Sequence, residues 1–169
     1  MEYKPPKKPA AALLLVMVLA SAAASLLSFA IFGIGRAYFL IAASLLLFAL
    51  SFLIISRFVV FDCLYKLCDD YSHPSFSVYL YKKGRFYLDN KIELDGREEL
   101  LLLNRAGRKA IKKLPCRKDM TSNLIPKKRY ALLFYAEDTL TYITVELDEG
   151  FATMVKERIN HAKKLYSDK

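Results

Sequence analysis

Two apolar runs, 10–32 and 37–56, open the pattern, and only Gly33, Ile34, Gly35 and Arg36 separate them. Neither run contains Asp, Glu, Lys, Arg or His. A helix of about 20 residues crosses a hydrocarbon core of about 30 Å. Backbone groups there can be satisfied only from within the chain, which makes helix the conformation for each run. The pattern therefore predicts an antiparallel transmembrane hairpin over 10–56. A signal peptide competes for the first run, because Lys4, Lys7 and Lys8 precede it. The run is too long for a signal's apolar region, and a second one follows at once. Within the first helix Ala20, Ala24 and Ser28 recur every four residues, a small-residue stripe expected to pack on the second helix or on a second copy of the chain.

After Arg57 the period changes to two. Phe58–Leu67 reads as a first strand, with prolongation of the second helix as the competing reading. Residues 68–74 form a polar loop. Phe76, Val78 and Leu80 alternate with Ser77, Tyr79 and Tyr81, the mark of a half-buried strand. Lys82-Lys83-Gly84-Arg85 turns the chain into Phe86-Tyr87-Leu88, and Asp89-Asn90 and Asp95-Gly96 are two further turn signals. Leu100–Leu103 fits a buried strand, Lys109–Leu114 a returning one, and Cys116–Lys128 a loop. Tyr130–Tyr135 and Leu140–Leu147 flank the turn Ala136-Glu137-Asp138-Thr139 as the clearest hairpin. Asp148 and Glu149 then open a helix over 149–166, with Phe151, Met154, Val155, Ile159 and Ala162 on one face. The expected organisation is a basic arm over 1–9, the hairpin, and a small α+β domain over 57–169.

Charge sets orientation and narrows function. Lys4, Lys7 and Lys8 flank the first helix and Arg57 follows the second, so the positive-inside rule puts both termini in the cytoplasm of a multi-pass cell-membrane protein. Cys63, Cys68 and Cys116 are odd in number and lack zinc-type spacing, which suits a reducing compartment and no disulfide framework. With no ionisable group at membrane depth, the hairpin reads as an anchor rather than a transport path. His73 and His161 have no spacing to a Ser, Cys or carboxylate that suggests a nucleophile and its base. Cys63, Cys68, Asp69, Asp70 and His73 cluster in sequence without a recognised ligand spacing. No glycine-rich phosphate loop is present. The reading is of a non-enzyme with no catalytic residue, no cofactor and no metal.

The order of elements, the final hairpin YALLFYAEDTLTYITVEL and the closing stretch DEGFATMVKERI resemble the bacterial pleckstrin-homology-like (PH-like) domains found just after a pair of membrane helices. The resemblance spans about 58–164. It implies a rolled antiparallel sheet capped by the C-terminal helix, and it implies little chemistry. PH-like domains that bind phosphoinositides often place basic residues on a strand-turn-strand, which Lys82, Lys83 and Arg85 resemble loosely.

A second basic group comprises Arg105, Arg108, Lys109, Lys112, Lys113, Arg117, Lys118, Lys127, Lys128 and Arg129, with Asp119 the one acid between them. These clusters are expected to contact anionic headgroups beside the bilayer in which the hairpin sits. Three functions fit: a membrane-anchored interaction module or scaffold, touching the leaflet or a protein partner; a small accessory subunit, or homodimer, in a larger membrane complex; and a membrane-tethered nucleic-acid binder using Tyr79, Tyr81 and Tyr87. The last lacks any nucleic-acid motif.

Overall fold

The computed structural model describes residues 1–33, 37–68, 70, 73–126 and 128–167. The chain forms two compact units, one of Lys7–Phe61 with Asn123–Ile125, the other of Met1–Pro6, Asp62–Ser122 and Pro126–Lys169.

The helical unit is a hairpin of α1 (Ala10–Ile31) and α2 (Ala37–Ile55), with one further π-helical turn over Ser56–Val60. Both helices are long and apolar enough to cross a membrane, and only 11% of each apolar window is buried. A core helix of a soluble protein would be covered; these present their apolar surface outward. The contact face of α1 is Ala12, Val16, Leu19, Ala23, Leu26 and Ala30, and that of α2 is Ala37, Leu40, Ser44, Leu47, Ser51 and Ile54. Steps of four and three alternate on both, the 3.5-residue period of a left-handed pair. Small residues sit at the closest points. Ala23 is fully buried, and Ser44 Oγ donates across the pair to Ala23 O at 2.9 Å.

The stripe Ala20, Ala24 and Ser28 is not this face. Ala20 is half-buried, while Ala24 and Ser28 are exposed. A uniform step of four advances 40° past a full turn each time, so the stripe precesses off the interface. The hydroxyls of Ser21, Ser25 and Ser28 donate back to the carbonyls of Met17, Ser21 and Ala24, so their polar groups are satisfied within α1.

The other unit holds two four-stranded sheets. One has the order β1 (Glu2–Tyr3), β2 (Cys63–Leu67), β3 (Ser75–Lys82), β4 (Arg85–Glu93), all antiparallel. The second has the order β5 (Glu99–Leu102), β7 (Arg129–Ala136), β8 (Thr139–Glu146), β6 (Cys116–Asp119), with β6 parallel to β8. Helix α3 (Arg105–Ile111) covers one face of the second sheet, and α4 (Glu149–Ser167) ends the chain. Asp148 caps α4, accepting from the Phe151 N–H at 2.7 Å.

Several local expectations are corrected. Glu2 and Tyr3 of the basic arm are a strand, in register with Lys66 and Tyr65. Phe58–Leu67 divides, its start completing the helical turn and its end becoming β2. Asp89-Asn90 does not turn the chain; Asp89 is the extra residue of a bulge, since Tyr79 faces Leu88 and Val78 faces Asn90. Lys109–Leu114 is not a strand. Asn104 caps α3 by accepting from the Gly107 N–H at 2.8 Å, and Ile111 packs on Ala131 and Leu133. That cover explains the unbroken run in β7: Ala131 and Leu133 face α3, while Tyr130, Leu132 and Phe134 take the alternate positions, and all five are buried. The loop expected over Cys116–Lys128 contains β6, whose four exposed residues give no alternation to read.

The core beneath the first sheet is an aromatic row. Ring centroids of Phe76 and Tyr65 lie 6.0 Å apart, Tyr65 and Tyr3 6.3 Å, and Tyr3 and Phe151 5.3 Å, joining three strands to α4. Tyr65 is fully buried. Its hydroxyl donates to Met120 O at 2.9 Å and accepts from the Glu146 N–H at 3.1 Å, which links the two sheets. Burial pushes the phenol well above its ordinary value and keeps it a neutral donor. Tyr65→Phe retains the ring and strands the Glu146 N–H. Chemical denaturation of the full chain in detergent is expected to show a loss of about 1–2 kcal/mol. An unchanged midpoint would remove this bond from the account.

Candidate functional site

The β3–β4 hairpin carries the densest group of exposed cations. Lys82 pairs with Arg85, and the two-residue turn between them puts Lys83 (φ 49°) and Gly84 (φ 81°) in the left-handed region. That turn matches the twist of the strands. A lysine there costs about 1 kcal/mol relative to glycine. Lys82, Lys83 and Arg85 are exposed, and among the described residues no carboxylate lies within ion-pair distance of them. Beside them Tyr81, Tyr87 and Leu88 are 43%, 51% and 53% exposed. Tyr87 and Leu88, adjacent on β4, lie on opposite faces, so the hairpin is apolar on both sides near its tip. An open groove of about 410 Å³ runs between Leu80, Lys82, Lys83, Tyr87, Leu88 and Asp89.

Register fixes which end of the sheet this is. Strand β2 begins at Cys63, three residues after the apolar helix ends at Val60, and Cys63 faces Leu80. The tip thus lies at the end from which the chain leaves for the hairpin. Both connecting segments are tied to it. Tyr81 N–H donates to Asp62 O at 3.0 Å, Lys4 pairs with Asp62 at 2.7 Å, and Lys4 Nζ stands 5.4 Å from the Phe86 ring centroid. Phe86 in turn packs edge-on against Tyr81 at 5.3 Å.

The second basic group is dispersed. Arg105, Arg108 and Lys109 are exposed on α3, whose Ile111 is buried; Lys112 and Lys113 follow the helix, exposed, and Arg117 is exposed on β6. Lys118 is paired with Asp89 at 2.5 Å, and Lys128 is paired with Glu149. Arg129 is half-buried on β7 opposite Glu146. Lys127 lies outside the described residues.

A different chemistry lies at the β4–β5 connection, in a cleft of about 300 Å³ bordered by Lys91, Glu93, Arg117 and Glu137. Asp95 accepts from Arg97 Nε at 2.7 Å and Nη2 at 2.5 Å, and Glu98 Oε2 accepts from the Gly96 N–H at 3.0 Å. The hydrogen bonds from Arg97 hold Asp95 down at about 2. Burial, then the hydrogen bond shared with Asp95, pushes Glu98 up to about 7. The two carboxyl groups thus share one proton. Sequence reading noted only a turn at Asp95-Gly96. The signal available was Glu98, a carboxylate three residues on, at a strand entrance that buries it.

The thiols do not gather. Cys63 is buried at the start of β2, donating from Sγ to Met120 O, and Cys68 lies beyond the strand's other end, about 16 Å away at the rise of an extended chain. His73 Nδ1 is 3.6 Å from Asp70, and both are exposed; Asp69 lies outside the described residues. Among the described residues no group of three His, Cys, Asp or Glu could hold a metal ion. Comparison with family models, characterised proteins and solved structures gave no match to this chain.

Proposed function

We propose that this chain is a non-enzymatic module anchored in the cell membrane by its two-helix hairpin, both termini cytoplasmic, whose basic domain contacts the anionic leaflet. The observation that carries this reading is the set of exposed cations that have no ion pair among the described residues, on a domain joined at two places to an apolar hairpin: Lys82, Lys83 and Arg85 on one turn, and Arg105, Arg108, Lys109, Lys112 and Lys113 on α3 and its end. Each basic residue near an anionic surface contributes about 1 kcal/mol of attraction, so the sum is large although each term is small. The pairing of β1 with β2 supports the topology. It requires residues 2–3 and 65–66 to emerge on one side, as an even number of crossings demands. Two sheets and a C-terminal helix support a PH-like description; the parallel β6 and the inserted α3 depart from a simple meander.

The test uses the full chain, because a fragment starting at Asp70 would lack β1 and β2 and with them Tyr65. In nanodiscs of neutral or anionic lipid, lysine acetylation read by mass spectrometry is expected to slow at Lys82, Lys83, Lys112 and Lys113 in the anionic discs and recover with added salt. Equal labelling in both lipids at low salt would remove the leaflet as the partner.

A further inference from the structure

The cleft at the β4–β5 connection stands apart from the leaflet reading and does not depend on it. We infer that this cleft binds a short zwitterionic peptide. Arg117 takes the carboxylate, Glu137 takes the ammonium group, and the free edge of β4 takes the amide between them.

The cleft, about 300 Å³, is bordered by residues of two sheet edges. Strand β4 ends the first sheet and β6 ends the second, and the Lys118–Asp89 pair at 2.5 Å joins them. Each edge carries a bulge. Asp89 is the extra residue of β4. Arg117 is the extra residue of β6, since Cys116 faces Tyr142 and Lys118 faces Ile143. A bulge releases its residue from the ladder and re-aims the side chain. Arg117 borders the cleft from β6, and Glu137 borders it from the β7–β8 turn, which the pair Ala136 and Thr139 closes.

The other charges of the cleft answer one another. Lys91 pairs with Glu93 at 3.7 Å, and Arg97 with Asp95 at 2.5 Å. Glu98 is 8% exposed and accepts from the Gly96 N–H at 3.0 Å. Arg117 and Glu137 remain. Both are exposed, and among the described residues neither has an ion pair, with the other or with a third group. One unmatched cation and one unmatched anion, held on separate elements, suit a molecule that carries both signs. A simple anion or a simple cation would leave one of them unanswered.

The edge of β4 favours a peptide over a free amino acid. Leu94 N–H donates to Pro74 O at 2.8 Å, and Ile92 stands opposite Phe76. Alternate residues of a strand bond to alternate sides, so Lys91 and Glu93 direct their N–H and C=O groups away from β3. No strand of the sheet follows on that side, and both residues border the cleft. A short extended peptide can add to such an edge through its backbone. Tyr135, 49% exposed beside Arg97, offers its ring to the peptide's side chains. A volume of about 300 Å³ is at the small end of ligand sites, which suits a ligand of this size.

The experiment titrates the full, isotope-labelled chain in phosphatidylcholine nanodiscs with dialanine, N-acetyl-dialanine and dialanine amide, followed by NMR. Dialanine is expected to shift the amide signals of Lys91 and Glu93. It should bind up to about five-fold more tightly than either blocked peptide, the worth of one ion pair that solvent reaches. Arg117→Gln should remove the preference for a free carboxylate and keep that for a free ammonium group. Glu137→Gln should do the reverse. Both side chains are exposed, so neither change disturbs the core. Unmoved Lys91 and Glu93 signals under dialanine would overturn the site. Equal binding of the three peptides would overturn the zwitterionic ligand, and a preference that survives both substitutions would overturn the roles of Arg117 and Glu137. The discs carry no anionic lipid, so none of these results bears on the leaflet reading.

Discussion

Replacing Gly96 with alanine is expected to lower the stability of the sheet unit by about 3 kcal/mol, with α4 the element most affected. Gly96 turns the chain between β4 and β5 at φ 90°, where a side chain is disfavoured in itself. Its surroundings add the larger part. A Cβ there would stand 2.4 Å from Lys163 Cα and 2.6 Å from Lys163 N, both backbone atoms of α4. Neither can rotate away, so the helix or the loop must move. Movement of α4 disturbs Phe151, Val155, Ile159 and Ala162, which it contributes to the core. Gly84→Ala is the control. It also has positive φ, yet nothing lies within 4 Å of the added carbon, so only the backbone penalty of about 1 kcal/mol remains. Denaturation midpoints should separate the two variants clearly. Hydrogen exchange in 149–167 should rise for Gly96→Ala alone. Equal losses at both glycines would mean that the approach of Gly96 to α4 has no energetic weight.

What the sequence made legible follows from how strongly each segment's pattern is tied to one face. The two apolar runs are legible because length and absence of charge suffice. β3, β7 and β8 are legible because Phe76 and Val78, or Tyr130 through Phe134, can be buried only as strands or short buried segments. α3 was not, because a seven-residue helix that buries only Ile111 leaves no period to count, and its Asn104 cap looks like any turn. β1 and β6 were hidden for a related reason. Glu2–Tyr3 and Cys116–Asp119 are short edge strands, defined by the neighbour they pair with and not by their own alternation. The helix stripe, expected to pack on the second helix or on a second copy, is not the face that meets α2. Ala20, Ala24 and Ser28 are the right residue types at a spacing that drifts, while Ala12, Ala23 and Ala30 hold the interface among larger neighbours. Of the candidate contact residues, the cations were visible as charge. Their division into paired Lys118 and Lys128 and, among the described residues, unpaired Lys82, Lys83 and Arg85 was not, because it depends on Asp89 and Glu149 arriving from distant strands and helices.

The carboxyl pair at the same β4–β5 turn predicts a pH dependence of unusual sign. Glu98, at about 7, holds its proton more tightly in the folded chain than the ordinary value near 4.5 allows. Its contribution is therefore complete below about 4.5 and is lost as pH rises through 7. Asp95, at about 2, works the other way. Its contribution is complete above the ordinary value of 3.8 and is lost as pH falls through 2. Together they give a maximum near pH 4–5, with the neutral side of the slope belonging to Glu98. Between pH 5 and 8 the sheet unit is expected to lose about 2 kcal/mol, discounted for the solvent that reaches the cleft. Lys91, Glu93, Arg97, Arg117 and Glu137 border the same space, so the wild-type slope alone does not isolate one group. Glu98→Gln does. The amide keeps a donor toward Asp95 and an acceptor for the Gly96 N–H at every pH, so the slope above pH 5 should flatten. Asp95→Asn should remove the grip of Arg97 and the carboxylate that opposes ionisation of Glu98, shifting the fall to lower pH. Because Gly96, between the two carboxyls, abuts α4, hydrogen exchange in α4 should follow the same curve in the wild type and lose it in Glu98→Gln. Parallel pH–stability curves for wild type and Glu98→Gln would sink the shared-proton account, since no other change in that variant would leave the slope intact.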